Sequence, residues 1–385
     1  MEEKILLCLA HMSGNEMKYI QEAFEDNWVA PLGPNVDGFE KDLEQFIGCN
    51  KRIVALSAGT AAIHLALVML GVSHGDEVLC QSFTFAASAN PIVYQGATPI
   101  FIDSESDSWN MSPVLLEKAI IDRKNKTGKY PKAIIVVHLY GMPANMDEIT
   151  RIAQKYDIPI VEDAAEALGS QFNDKPCGTF GEFGVLSFNG NKMITTSGGG
   201  ALIVNDEQTK KLATYYATQA REQVAYYQHN NVGYNYRMSN ISAGIGRGQM
   251  SILEQHIEHH RMIHSTYKEL LENTPGITLF SNPNNKYKSN YWLCNILIDS
   301  SITGFTYEDL RIALQNNNIE SRPLWKPMHL QPVFKNCPSY IDGTSESLFN
   351  KGLCIPAGPW VNKEHVKRIV EIIHNNLKQY IVCIR

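Results

Sequence analysis

Charge is scarce in this chain and nowhere concentrated. Asp, Glu, Lys and Arg make up 19% of its 385 residues, their formal sum is 34 minus 40, or −6, and no basic run is present that could neutralise a phosphate backbone. Nucleic acid is therefore excluded as an expected partner. Long apolar runs are also missing: no stretch reaches membrane-spanning length. Lys4-Ile5-Leu6-Leu7-Cys8-Leu9-Ala10 is too short, and too quickly followed by His11, to read as a secretory leader. The eight cysteines, Cys8, Cys49, Cys80, Cys177, Cys294, Cys337, Cys354 and Cys383, contain no Cys-x-x-Cys pair and are expected to be reduced small hydrophobes. A cytoplasmic location, with no membrane association, is the expectation, and the sequons at Asn110, Asn125 and Asn240 are chance matches. Metal-site patterns are absent as well. His256, His260 and His264 share one helix face, but no Cys or His-Glu-x-x-His pattern accompanies them, so a solvated face is expected and no metal.

What is present is an alternation. Short, nearly continuous apolar runs at 53–56, 78–81, 99–102, 133–137, 159–161 and 184–188 read as buried strands. Helical spacings at about 15–26, 36–47, 112–123 and 146–156 lie between or before them. Strands alternating with helices indicate an α/β fold whose mostly parallel sheet is covered on both faces. The length exceeds what one core usually serves. The expected division is a large domain over 1–274 and a smaller α+β domain over 275–385, the latter with a strand at 291–298 and a helix at 307–315.

Two ionisable groups stand out. Asp163 ends the run Pro159-Ile160-Val161-Glu162-Asp163, at the C-terminal end of a strand, where open parallel sheets place ligands. Lys192 follows the strand 184–188 in a turn of Asn189-Gly190-Asn191, residues that tolerate unusual backbone angles. A catalyst that uses pyridoxal phosphate needs such a pair: a lysine to join the aldehyde, and a carboxylate to keep the ring nitrogen protonated as an electron sink. An ordinary ion pair, or two groups that never meet, fits the spacing equally well.

Glu162-Asp163-Ala164-Ala165 and Ser187-Phe188-Asn189-Gly190-Asn191-Lys192, followed by Gly198-Gly199-Gly200, resemble the active-site region of the DegT/DnrJ/EryC1/StrS family of nucleotide-sugar aminotransferases, and the likeness extends over nearly the whole chain. The resemblance implies a type I pyridoxal-phosphate transferase fold (aspartate aminotransferase-like). It implies that Gly59, Thr60 and Ser187 bind the cofactor phosphate, that Phe85 and Ala165 lie on the two faces of its ring, and that Asp163 grips the ring nitrogen. Glu166 falls where many relatives carry Gln or His; it is expected either to have a raised pKa or to turn towards substrate. Val232-Gly233-Tyr234-Asn235-Tyr236-Arg237 resembles a family segment whose Asn reaches the partner's cofactor phosphate, which implies a homodimer with shared active sites. Trp28 is expected to line the sugar-nucleotide site. Arg322 and His329, in a segment that resembles one returning to the cleft, are either binders of substrate phosphates and hydroxyls or surface polar groups.

The activity so implied moves an amino group from an amino acid, expected to be L-glutamate, to C4 of a nucleotide-linked 4-keto-6-deoxy sugar, with Lys192 as base and then acid. Gly198-Gly199-Gly200 departs from the Gly-Glu-Gly-Gly commoner in the family. It resembles enzymes acting on UDP-linked N-acetylated sugars, as in bacterial surface glycan synthesis. Alternatives are amination at C3, a pyridoxal-phosphate deoxygenase, or a cofactor-binding regulator without turnover. Lys192 argues against the deoxygenase, which usually carries histidine there.

Overall fold

The structure, a computed structural model, describes residues 3–384, with side chains through residue 377. Five strands open the main sheet: β1 (Arg52–Leu56), β2 (Glu77–Gln81), β3 (Thr98–Ile102), β4 (Ala133–Val137) and β5 (Ile160–Asp163). Phe183–Ser187, Gly200–Val204 and Ser339–Tyr340 complete it. The order across its eight strands is β1, Gly200–Val204, Phe183–Ser187, β5, β4, β2, β3, Ser339–Tyr340. Gly200–Val204 runs antiparallel to both neighbours, and every other pairing is parallel.

The apolar runs are continuous because both faces are covered. Successive side chains alternate between faces: Ile53, Ala55, Ile134, Val136 and Leu186 enter one core, and Val54, Leu56, Ile135, Val161 and Val185 the other. Pairing through Gly200–Val204 gives β1 and Phe183–Ser187 the same direction, so β1, β2, β5 and Phe183–Ser187 all end at one sheet edge.

The C-terminal unit is a four-stranded antiparallel sheet ordered Ile277–Leu279, Cys294–Ile298, Gly352–Ile355, Arg322–Pro323. Its own core contains Ile296, Leu310, Leu353 and Ile369. Its first strand starts at Ile277, and the chain crosses between the units at several points: Tyr287–Lys288 pairs with Gln171–Phe172 of the large unit. Ile5 bridges Ile319 and is buried in the small-unit core, and Ser339–Tyr340 returns to pair with β3. The strand expected from 291 starts only at Cys294, because Tyr291 takes a left-handed φ of 50° that no strand accommodates.

One expectation is corrected. His256, His260 and His264, on the helix Leu253–Leu271, are buried rather than solvated. Each ring bonds a carbonyl from another part of the chain: Met193 at 3.1 Å, Tyr291 at 3.1 Å and Phe280 at 2.9 Å. The face is polar in composition but is covered by the lysine loop and the entry to the small unit.

The seven cysteines with described side chains are free thiols, and Cys383 lies outside the described side chains. Among the described residues no helix is long and apolar enough to cross a membrane.

The returning segment is anchored by one buried carboxylate. Asp103 accepts from the N–H groups of Ser104 (2.8 Å), Ser345 (3.0 Å), Asp342 (3.0 Å) and Gly343 (2.9 Å). Burial alone would raise its pKa, but hydrogen bonds from Ser345, Ser104 and Gly343 outweigh burial and hold it below the ordinary value. Asp103→Ala should lower stability by about 3 kcal/mol at neutral pH, read from the urea midpoint. Because the folded pKa lies below the unfolded one, the contribution is complete above about pH 4 and is lost as pH falls through the folded value. The gap between native protein and variant should therefore narrow in acid; a gap independent of pH would refute the anchor.

Candidate active site

A cavity of about 350 Å³ opens at the edge where those strands end. Gly59, Thr60, Phe85, Asp163, Ala165, Glu166, Ser187 and Lys192 all line it. Each arrives on a different piece of the sheet. Gly59 and Thr60 start the helix Gly59–Met69 directly after β1, and no side chain caps that helix, leaving its first N–H groups for a ligand. Phe85 precedes the helix Ala86–Tyr94 after β2. Asp163 ends β5, and Ser187 ends the strand before the lysine loop. That loop is closed at its base, where Phe188 N–H donates to Gly199 O (2.9 Å) and Thr196 N–H to Phe188 O (2.9 Å). A Cβ at Gly200 would lie 2.3 Å from Gly59 N, so only glycine lets the loop's exit pass the helix start.

Lys192 is mostly buried, with 13% of its side chain exposed, and its Nζ stands 3.2 Å from Glu166 Oε1. The same amine lies over the ring of Trp292, 4.0 Å from its centroid. Glu166 Oε2 accepts from Tyr140 N–H at 2.7 Å. Burial pushes the Glu166 pKa up, while the Lys192 charge and the Tyr140 N–H pull it down without cancelling the rise. Asp163 is buried and held from two sides, by Ser88 Oγ–H at 2.6 Å and Ala165 N–H at 3.2 Å, with Thr84 Oγ1 2.8 Å from Ser88 Oγ. Cys8 Sγ donates to Asn191 O at 3.3 Å, and burial pushes its pKa up to about 12, so it stays a thiol.

The remaining expected residues lie outside the cavity lining of this chain. Trp28 is partly exposed, its carbonyl accepting from Asn240 Nδ2 at 3.0 Å. Asn235 is exposed and bridges Thr218. Arg322 has 68% of its side chain exposed and pairs with Glu320 at 2.9 Å. Both ring nitrogens of His329 are occupied, Nδ1 by Ser82 Oγ (2.6 Å) and Nε2 by Glu346 Oε1 (3.0 Å). His329 thus ties its segment to the end of β2, and Arg322 stands at the surface of this chain. The sequence reading missed Ser88, Tyr140, Trp292 and Trp325. Ser88 carried a usable signal: a hydroxyl in the first turn of a mostly apolar helix whose start faces the sheet edge. A wider depression of about 720 Å³, lined among others by Tyr19, Phe46 and Met250, contains none of the expected residues.

The family model for the DegT/DnrJ/EryC1/StrS aminotransferases matches residues 10–374. The chain belongs to that family. A Bacillus subtilis protein, EpsN, a candidate pyridoxal phosphate-dependent aminotransferase, is 47% identical over 380 residues, covering 97% of this chain and 96% of its own. GDP-perosamine synthase of Escherichia coli O157:H7 is 36% identical over 365 residues, covering 94% and 96%. The crystal structure of a family aminotransferase from Brucella abortus superposes with a TM-score of 0.88 at 29% identity, covering 94% of this chain and 95% of that one. The fold is therefore the type I pyridoxal-phosphate fold, the chain is a sugar aminotransferase, and its cofactor is pyridoxal phosphate. The residues present suit that group: an uncapped helix start and a serine for a phosphate, a buried carboxylate with hydrogen bonds of its own, and an amine in the same cavity.

Ser88→Ala removes a charge-assisted donor from Asp163 and leaves that carboxylate with the Ala165 N–H alone. Cofactor affinity, measured by titrating apo-protein with pyridoxal phosphate, should fall roughly tenfold. Unchanged affinity would mean that Ser88 does not support Asp163.

Proposed function

We propose that this enzyme transfers the amino group of L-glutamate to C4 of a UDP-linked 4-keto-6-deoxy-N-acetylhexosamine, for a bacterial surface glycan. The observation that carries the reading is the convergence of Lys192, Glu166 and Asp163 on one cavity. Bound pyridoxal phosphate supplies an electron sink that lets a proton leave the carbon bearing the amine. Lys192 would hold the cofactor through its amine, Asp163 its ring nitrogen, Gly59, Thr60 and Ser187 its phosphate, and Phe85 and Ala165 its two faces. Lys192 would then carry a proton between the two reacting carbons, as base and afterwards as acid. Glu166, 3.2 Å away with its proton affinity raised by burial, offers a resting place for the proton that the amine must shed.

Two features bear on the substrate. Gly198 lines the cavity and a Cβ there would meet nothing within 4 Å, so the glycine leaves open space beside the lysine loop. That room supports a substituted sugar such as an N-acetylated one. The name of the Escherichia coli relative favours GDP as the nucleotide instead. The exposed position of Asn235 suits a homodimer in which it reaches the partner's site, and the exposed indole of Trp28 remains free to line a sugar-nucleotide site.

Incubation with L-glutamate and either a UDP-linked 4-keto-6-deoxy-N-acetylhexosamine or a GDP-linked 4-keto-6-deoxyhexose tests the reading. Formation of 2-oxoglutarate and an amine at C4, seen by NMR, is expected with the UDP sugar. Amination of the GDP sugar alone would reverse the nucleotide assignment, and an amine at C3 would overturn the position. Lys192→Ala should lower turnover by at least about 10³-fold. Mixing Lys192→Ala with Asn235→Ala subunits should recover activity that neither variant has alone; failure to recover any would refute shared sites.

A further inference from the structure

We propose that Trp292 is a positioning residue for the transfer, holding the Lys192 loop with its indole N–H and the Lys192 amine with its ring face, so that the segment leading into the small unit sets where that amine stands. The inference rests on the reading of Lys192 as the catalytic amine. Trp292 Nε1–H donates to Asn191 O at 2.6 Å, one residue before the lysine, and Nζ lies 4.0 Å from the ring centroid. One buried side chain thus fixes both the backbone that delivers the amine and the amine itself.

The segment that carries Trp292 is built to hold it there. Asn290 is fully buried; its Oδ1 accepts from Trp292 N–H at 2.9 Å, and its Nδ2 donates to Glu166 O (2.8 Å) and Leu168 O (2.9 Å). The same turn therefore grips the backbone of Glu166, the other polar partner of the amine. A Cβ at Gly141 would lie 1.9 Å from Asn290 Oδ1, so that glycine makes the close approach possible. Tyr291, between Asn290 and Trp292, takes the left-handed φ of 50° that turns Trp292 towards the cavity. Two buried histidines fix this conformation. The His264 ring stacks on Tyr291 with centroids 3.5 Å apart and planes 7° from parallel, and His260 Nδ1 bonds Tyr291 O at 3.1 Å. The histidine face of the long helix thus has a use that composition did not suggest.

Two variants separate the contacts: Trp292→Phe keeps an aromatic face and loses the N–H donor, and Trp292→Leu loses both. The first readout is cofactor-free. Apo-protein is treated with an amine-acylating reagent and the labelling rate of Lys192 is followed by peptide mass spectrometry, with Lys367 as a surface reference. Loss of the ring face and of the clamp should raise the Lys192 rate roughly tenfold in Trp292→Leu, and by less in Trp292→Phe, with Lys367 unchanged. The second readout is the split of kinetic constants in holoenzyme: kcat should fall by about 10- to 100-fold while KM for the amino donor changes little. A Lys192 labelling rate within about twofold of native in both folded variants would overturn the proposal, as would a loss confined to KM. If Trp292→Leu does not fold, Trp292→Phe decides by the same criteria. Borohydride reduction of holoenzyme followed by peptide mapping tests the underlying reading separately. Cofactor fixed to a lysine other than Lys192 would sink that reading while leaving the labelling result to stand or fall by itself.

Discussion

A mostly buried amine needs a polar partner placed beside it, and much of this structure follows from that requirement. Lys192 has Glu166 at 3.2 Å, and Glu166 is itself placed by the N–H of Tyr140, a residue in the left-handed region at φ 55°. The hydroxyl of Tyr140 in turn accepts from Trp325 N–H at 2.9 Å, and Trp325 belongs to the C-terminal unit. A chain of short contacts thus runs from the amine through the turn after β4 to the second unit of the fold. Asp163, buried in the same cavity, is satisfied independently by Ser88 and Ala165, so the two carboxylates do not compete for one cation.

The architecture was legible because its signals are local. Runs such as Ala133–Val137 are continuous since the strand is covered on both faces, and alternation of Ile134 and Val136 with Ile135 between two cores shows why no polar residue interrupts them. Asp163 and Lys192 were legible as strand-end residues for the same reason. That they share a cavity was not, since spacing cannot fix the distance between ends of different strands; the order of β5 and Phe183–Ser187 as neighbours does so. The family resemblance supplied what spacing lacked.

What could not be read was burial of polar groups by distant chain. Composition gives the helix Leu253–Leu271 a polar face at His256, His260 and His264, and a polar face is normally solvated. Here residues 193, 280 and 291 bring carbonyls to it, and burial pushes the pKa of His260 down to about 3 and that of His264 to about 4, so both rings are neutral at ordinary pH. His329 is the same lesson at the cleft. The segment does return to the sheet edge, as its resemblance implied, but the imidazole is spent on Ser82 and Glu346 in holding it there.

Crossings between the two units hold the cavity wall in place. The N-terminal strand bridge of Ile5 to Ile319, with Leu7 N–H on Glu320 at 3.2 Å, ties the small unit from one side, and Asp103 ties the returning segment from the other. Trp292 and Trp325 meet with ring centroids 6.3 Å apart, and Trp325 stands 5.4 Å from Phe85, so aromatic side chains close the wall where the two units meet. With that wall tied at both ends, the lining that remains exposed is Ser57, Phe85, Asn189, Asn191 and Gly198. Three of those five, Asn189, Asn191 and Gly198, belong to the lysine loop. The loop that carries the amine thus also forms most of the exposed rim of its cavity, so a change of side chain at Asn189, Asn191 or Gly198 alters that rim without touching the buried carboxylates behind it.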